Sequence, residues 1–210
     1  MGSFLLYLVL FNAAWTAWVL LGYPHVRTLG EQTLAYALIN LGVRLVLWVV
    51  PVFAYLRYVD RVDPIAYLKL RQHWRRGVLM VLIFSLLNFG LTLLQHGLPH
   101  LRSAAITWNS ILSTSLFIGF VEEIPYRGFV FQKLDERFSF IVATLLSAAL
   151  FLAIHLPGWI SLHLFNAATA VFVFVFGILM AVLLHYAKSL WAPIISHSLN
   201  DFFSAVVFRL

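Results

Sequence analysis

The sequence predicts an all-α fold: a polytopic membrane bundle of about seven transmembrane helices in a single domain of 210 residues. Two observations carry this prediction. Hydrophobic residues make up 62% of the chain and charged residues only 10%, whereas soluble domains carry about 25% charged residues. Apolar runs near the ~20 residues that cross a bilayer also recur along the chain. Because a soluble protein could not bury so much apolar surface, lipid is the expected solvent for most of it.

Seven apolar runs are the predicted spans. They cover residues 3–22, 35–56, 77–95, 107–131, 140–156, 166–186 and 191–208. The first run has no basic residues before it and exceeds the apolar core of a signal peptide, so we expect it to be retained as a helix. The chain has no cysteine, which excludes disulfides and cysteine-based metal sites.

Charge in the loops predicts the orientation of the bundle. The loop at residues 57–76 is strongly basic and is therefore expected in the cytoplasm, which places the N-terminus inside. The predicted inside loops then hold nine lysines and arginines, and the outside segments hold three, Arg27, Arg102 and Arg209. The net charge of +6 suits contact with anionic lipid headgroups. The basic residues form no stripe on a soluble domain, so nucleic acid is not an expected partner.

Two adjacent glutamates interrupt the fourth predicted span. Charged groups at membrane depth are costly, and they are usually paired and functional. Glu123 and Arg127 are four positions apart with the acid first, which favours an ion pair on a helix. Glu122 points about 100° away around the same helix and has no local cation. We therefore assign Glu123 to structure and Glu122 to chemistry, as a partly dehydrated general base.

Pro125 and Gly128 lie in the same span. Pro125 cannot donate a backbone hydrogen bond to the carbonyl of Val121, so we expect a kink beside the glutamates. Gly128 is expected to allow another helix to approach closely.

His155 ends the fifth predicted span, directly before Pro157-Gly158, which indicates a helix end. Glu122 and His155 are 33 residues apart, and the midpoint falls at Phe138-Ser139, beside the polar run 135–137. Two antiparallel helices joined there would bring both side chains to one depth, on the order of 24 Å from the turn at 1.5 Å per residue. The spacing therefore predicts that Glu122 and His155 lie at the same level of the bundle.

The last span carries His197 and Asp201, which are four positions apart and share a helix face. A carboxylate on one imidazole nitrogen fixes the tautomer and directs the other nitrogen into the cavity. Asn200 could do part of the same work, so which of the two orients His197 stays open. Arg44, in the second span, is expected either to pair with a carboxylate or to snorkel to the membrane surface, and to serve packing or orientation rather than catalysis.

Three motifs on successive spans resemble those of a known family. They are EExxxR (Glu122, Glu123, Arg127), FxxxH (Phe151, His155) and HxxxD/N (His197, Asp201), and the segment 189–193 is similar to the family's lead-in to the last histidine. This pattern resembles the CAAX prenyl protease and bacteriocin-processing family, also called CPBP or Abi, the type II CAAX endopeptidases. The resemblance covers roughly residues 107–205.

The resemblance implies a helical membrane protease with its active site in an intramembrane cavity. Residues 103–210 would be the catalytic core, and residues 1–102 a variable set of N-terminal helices. By position, Glu122 would activate the attacking water, His155 would hold that water or the substrate, and His197 would stabilise the oxyanion. Glu123 and Arg127 would support the site, and Asp201 or Asn200 would orient His197. The implied substrate is a peptide or a membrane-anchored protein.

Metal dependence is a separate question. Glu122, His155 and His197 are zinc ligands by residue type, so zinc stays an alternative. The helical zinc signature HExxH is absent from the sequence. A general base and an oxyanion stabiliser suffice for peptide hydrolysis without metal, and we therefore expect no cofactor.

Other functions stay open from the sequence. A non-catalytic bacteriocin-immunity or scaffold protein would need none of this chemistry, and a proton-coupled transporter could use the carboxylates as a relay. A haem protein would leave the glutamates unexplained, and no Gly-x-Ser-x-Gly segment supports a serine protease. The expected location is the bacterial cytoplasmic membrane with lipid around the chain, and the sequence leaves the oligomeric state undetermined.

Overall fold

The computed structural model describes residues 2–96 and 106–204, and those ranges hold helices and no strand. In chain order, we number the helices α1 (Gly2–Arg27), α2 (Leu34–Val59), α3 (Pro64–Tyr67), α4 (Trp74–His96), α5, α6 (Phe140–Ser161), α7 (Ala167–Ala187) and α8 (Trp191–Phe202). Helix α5 joins an α-helical Ile118–Glu123, a π-helical Ile124–Phe131 and a last turn, Gln132–Asp135. A π-helical turn, Ser110–Ser115, precedes it.

Four helices of the described ranges, α1, α2, α6 and α7, are long and apolar enough to cross a membrane. The other three predicted spans are helical too, as α4, α5 and α8, but they do not meet that standard of length and composition. The end of the seventh predicted span, residues 205–208, lies outside the described residues, as do Arg102, Arg209 and the boundary predicted at residues 102–103.

Prolines change the hydrogen bonding of these helices. The π-helical stretches Trp18–Gly22 and Leu45–Val49 each end two residues before a proline, Pro24 or Pro51. Each proline leaves the carbonyl four positions earlier without its usual donor, and that carbonyl lies inside the π-helical stretch. In α5 the change from α to π bonding comes at Ile124, next to the glutamates, where the sequence predicts a kink.

An aromatic cluster joins the N-terminal helices to α5. Phe4, Tyr7 and Phe11 follow helical spacing along α1 and are buried. The ring centroid of Tyr7 lies 4.9 Å from that of Phe129, and Phe11 lies 6.1 Å from Tyr126, both in α5. On α2, Trp48 and Tyr55 join the same cluster. The first two helices therefore cover the face of α5 that follows the glutamates.

Helices α5 and α8 approach closely because α5 carries glycine at the crossing. A Cβ on Gly119 would overlap the carbonyl oxygen of Ile194 and would lie 2.6 Å from Oγ of Ser198. Gly128 makes a similar approach, to the side chains of Leu68 and Leu190. The close approach predicted at Gly128 is therefore present, although its neighbours there come from a loop and a helix start.

The bundle has two chemically different ends. At one end Lys133 Nζ lies 2.8 Å from Asp60 Oδ2, and Trp191 Nε1 donates to the carbonyl of Leu70 at 2.8 Å. These contacts gather the loop after α2, the turn after α5 and the start of α8 into one surface. We call it the basic face, and its lysines and arginines are Arg57, Arg61, Lys69, Arg71, Arg75, Arg76, Lys133, Arg137 and Lys188. The opposite face carries the α1–α2 and α6–α7 connections.

Candidate active site

The buried carboxylate of Glu123 has two nitrogen-bearing partners on one oxygen. Its Oε1 accepts a hydrogen bond from Arg127 Nη1 at 3.1 Å and lies 2.6 Å from Nδ1 of His197. Glu123 and Arg127 have no exposed surface, and His197 is 4% exposed. The i,i+4 ion pair expected from the sequence is therefore present, and it extends to α8.

Phe151 closes this buried network from α6. The guanidinium of Arg127 lies 4.1 Å from the centroid of the Phe151 ring, within the range of a cation–π interaction. The same ring contacts Tyr126 with centroids 5.1 Å apart and approaches the His197 ring at 6.1 Å. The aromatic position of the FxxxH motif thus packs against the arginine of the EExxxR motif.

Glu122 is in a looser setting than Glu123. Its Oε1 lies 3.6 Å from Arg44 Nη1, and its Oε2 lies 3.9 Å from Nε2 of His197. Both distances exceed the roughly 3.2 Å of a hydrogen bond to nitrogen. The structure gives the Glu122 side chain no hydrogen bond to any residue that it describes, although the residue is only 5% exposed. Its carboxylate therefore lies between two nitrogen-bearing side chains with its lone pairs available.

The sequence pattern predicts that Asp201 or Asn200 orients His197. In the structure the short contact to Nδ1 belongs to Glu123, while Asp201 Oδ2 lies 3.7 Å from the other nitrogen, Nε2. Asn200 does not contact the ring and instead donates from Nδ2 to Asp201 Oδ1 at 3.1 Å. The close approach of α5 and α8 brings Glu123 to the histidine, and the helical spacing alone does not reveal it.

His155 lies where α6 is interrupted, between Ala153 and Leu156. Its Nδ1 lies 2.8 Å from the carbonyl oxygen of Phe151, which ties the ring to its own helix. Within the described part of the chain no hydrogen bond joins it to Glu122 or His197. Contacts between Phe151 and Tyr126 place the two helices in the antiparallel register that the sequence predicts for Glu122 and His155.

Arg44 brings the N-terminal half of the chain into the site. Its Nη1 donates to the carbonyl of Ser113 at 3.0 Å and faces Glu122, and its guanidinium lies 5.8 Å from the ring centroid of Trp15. Arg44 thus pairs with a carboxylate, as expected. A cavity of about 340 Å³ reaches Arg44 from the opposite face. Glu122, His155 and His197 are not among the residues that line it.

The carboxylates and histidines of the described residues form no group of three or more that could hold a metal ion. The separations fit this finding: both nitrogens of His197 face carboxylates, and Nδ1 of His155 is engaged by its own helix. As placed here, Glu122, His155 and His197 do not converge as a ligand set.

Sequence reasoning underestimated two residues. The sequence predicts that Glu123 pairs with Arg127 and supports the site, but it indicates neither the contact of Glu123 with His197 nor that of Arg44 with Glu122. A count of charges could have indicated the second contact, because the predicted spans contain three acidic residues, Glu122, Glu123 and Asp201. Arg44 has no acid near it on its own helix, so its partner had to be one of these three.

A comparison with protein families agrees with the motifs. Residues 104–203 match the family described as type II CAAX prenyl endopeptidase Rce1-like. No curated protein matches the chain, and no solved structure does. The matched segment contains helices α5 to α8 with Glu122, His155 and His197, whereas α1 to α4 precede it. Residues 104–203, just under half of the chain, are thus similar to the Rce1-like type II CAAX prenyl endopeptidases, and this match supports the resemblance that the three motifs indicate.

Proposed function

We propose that this protein is an intramembrane endopeptidase in which Glu122 activates water for attack on a peptide bond. The match of residues 104–203 to the Rce1-like family supports the reaction class. The substrate would be an unmodified or lipid-anchored peptide rather than a prenylated protein. Seven spans would enclose the site, with the N-terminus on the cytoplasmic side of a bacterial membrane.

The contrast between the two glutamates carries this proposal. Glu123 is held through Oε1 by direct contacts to Arg127 and His197 at 3.1 and 2.6 Å, while its Oε2 is buried without a hydrogen-bond partner among the described residues. Glu122 makes only longer contacts, at 3.6 and 3.9 Å. A general base must be free to accept a proton from a bound water, and a carboxylate already held by two short hydrogen bonds is a poor one. Glu122 therefore fits the base, and Glu123 fits a fixed support.

The reaction follows from these positions. Glu122 would take a proton from water while the water oxygen attacks the carbonyl carbon of the scissile bond. The Nε2–H of a protonated His197 would stabilise the developing oxyanion, because Nδ1–H donation to Glu123 leaves Nε2 directed at the reacting groups. When the tetrahedral intermediate collapses, the carbon–nitrogen bond breaks and the protonated Glu122 gives its proton to the leaving amine.

Charge balance supports a protonated His197. The site contains three carboxylates, those of Glu122, Glu123 and Asp201, and two guanidiniums, those of Arg44 and Arg127. One imidazolium would make the group neutral, and a neutral group costs least in a low-dielectric interior. Asp201, 3.7 Å from Nε2, would then hold the imidazolium together with Glu123. His155 would help to hold the water or the substrate.

This mechanism needs no metal, since the base and the oxyanion stabiliser are both side chains. If zinc took part instead, Glu122, His155 and His197 would have to move together to become its ligands. The two mechanisms differ in a simple test, because a chelator abolishes only the second.

The test is cleavage of a quenched-fluorescent peptide library by the purified chain in detergent. Wild type, Glu122→Gln and Glu123→Gln are compared with and without a strong chelator. We expect Glu122→Gln to remain folded and to lose activity by about 10²- to 10⁴-fold, with wild-type activity unaffected by chelator. Loss of activity with chelator and its return with zinc would replace the metal-free mechanism. A folded wild type without activity would instead favour an immunity, scaffold or transport function.

A further inference from the structure

The cavity that ends at Arg44 is built from four parts of the chain. It lies between the second half of α1, the start of α2, the π-helical turn before α5, and the end of α6. Glu31 lies at its outer end with its side chain 52% exposed. From the start of α2 to Arg44 is ten residues, so the cavity extends on the order of 15 Å into the bundle. At its inner end Arg44 contacts Glu122.

Its lining is polar and aromatic, unlike the surfaces of the bundle that face lipid. Amide and hydroxyl groups are supplied by Asn40, Asn109, Ser113 and Thr114. Such groups exchange hydrogen bonds with a peptide backbone, and tryptophan and tyrosine rings beside them give its side chains an apolar surface. Asn40, Ser113 and Thr114 each donate one hydrogen bond inside the protein. A lipid tail would leave the remaining donors and acceptors of these groups without partners, which costs free energy. The chemistry therefore suits a polar peptide segment.

The position of the cavity defines a side of entry. Its outer residues belong to the α1–α2 connection and to the end of α6, on the face opposite the basic face. Basic loops stay in the cytoplasm. The cavity consequently opens away from the cytoplasm.

We propose that this cavity is the entry route and binding subsite for the peptide segment of the substrate, reached from the non-cytoplasmic side. The inference rests on the proposed peptidase function for the identity of the ligand. It adds a subsite formed largely by helices outside the family-matched segment. Arg44 is the residue at which this subsite meets Glu122.

The side of entry can be tested without catalysis, because the chain contains no cysteine and a single introduced thiol is unique. Thr114→Cys places a thiol in the cavity, and Gln72→Cys places one on the basic face, where the side chain is exposed. Each is treated with a membrane-impermeant maleimide in right-side-out and inside-out vesicles. We expect Thr114→Cys to react in right-side-out vesicles and Gln72→Cys in inside-out vesicles. The reverse pattern, or reaction of both from one side, would overturn the proposal.

Binding of the peptide is tested by a shape-preserving pair of variants. Thr114→Val removes a hydroxyl from the cavity, while Thr169→Val makes the same change at an exposed site on α7. We expect Thr114→Val to raise KM about fivefold with kcat within about twofold, and Thr169→Val to change neither. An unchanged KM in Thr114→Val, with an active wild type, would exclude the cavity as the subsite. If wild type itself is inactive, the peptidase function fails, while the labelling result still decides on which side the cavity opens.

Discussion

Nδ1 of His197 lies 2.6 Å from Oε1 of Glu123, so the imidazole of the last helix is held by an acid on α5 rather than by one on its own helix. The same oxygen accepts from Arg127. This three-residue network is buried, and it connects the first motif of the chain to the last. Any change in how α5 and α8 pack is therefore expected to alter the position of the histidine.

Substitution of the two neighbouring glutamates should lower the stability of the protein by different amounts. Glu123→Gln leaves the guanidinium of Arg127 buried without a counter-charge, and breaking a buried pair from one side costs about 3–5 kcal/mol. Glu122→Gln removes only long contacts. We expect a large fall in Tm in detergent for the first variant and a small one for the second. Equal Tm values for the two variants would contradict the assignment of Glu123 to structure.

The last motif contains two polar residues that could orient His197, and the structure gives them different contacts. Asp201 Oδ2 faces Nε2 of His197 at 3.7 Å, whereas the Asn200 side chain donates to Asp201 Oδ1 at 3.1 Å. We expect Asp201→Asn to lower kcat/KM about tenfold or more, because an opposite charge this close favours the imidazolium. Asn200→Ala should lower it only about two- to threefold. Peptide cleavage kinetics on both variants show which substitution lowers kcat/KM more. A larger loss for Asn200→Ala would refute the assignment of Asp201 as the residue that acts on His197.

Gly119 sets the distance between α5 and α8. Gly119→Ala adds a methyl group that overlaps the Ile194 carbonyl, so the two helices must separate and the Glu123–His197 contact must lengthen. We expect loss of most activity and a lower Tm. Gly42→Ala on α2 is the matched control, since no atom lies within 4 Å of its added Cβ, and alanine favours a helix over glycine. If both variants keep wild-type Tm and activity, the close approach of α5 and α8 at Gly119 is not required for folding or function.

At the basic face, Lys133 predicts a dependence of stability on alkaline pH. Burial opposes its charge, but hydrogen bonds to Asp60 and Glu136 outweigh burial and raise the pKa of Lys133. A raised pKa in the folded state means that the stabilisation is complete below the lysine's ordinary pKa, about 10.4. It is lost as pH rises through the folded-state pKa.

Lys133→Met should therefore lower Tm at pH 7 and flatten the fall of Tm at strongly alkaline pH. Thermal unfolding in detergent from pH 7 to 12 measures both effects. Lys188→Met is a suitable comparison, because it lies on the same face. A Lys133→Met curve parallel to that of wild type would show that Lys133 contributes nothing to the pH dependence.

The local chemistry of the site was largely predictable from the sequence, because helical spacing controls it. Glu123 and Arg127 pair at i,i+4, and the antiparallel register of α5 and α6 follows from the polar turn halfway between Glu122 and His155. Contacts between helices distant in sequence were not predictable in this way. Glu123 reaches His197 across 74 residues because glycine at position 119 lets α8 approach.

The partner of Arg44 was also not predictable from the sequence. Its burial cost indicates that it needs an acid, but three acids in the predicted spans were available. Only the tertiary arrangement, in which Arg44 donates a hydrogen bond to the Ser113 carbonyl before α5, places its guanidinium beside Glu122. Helix count is a third case. Within residues 2–96 and 106–204, each of the seven apolar runs contains helix, but length and hydropathy single out four of them.

The aromatic cluster on α1 and α2 bears on how the chain can be divided. Tyr126 and Phe129 follow the glutamates directly, and they are covered by Phe11, Tyr7 and Trp48. A fragment that began where the family match begins would expose these rings beside the catalytic candidates and would also lack Arg44. We expect such a truncated chain to aggregate rather than to act as a minimal enzyme. The most recognisable half of the sequence would then be unable to fold independently, and the family match would not mark a unit that can be moved between proteins.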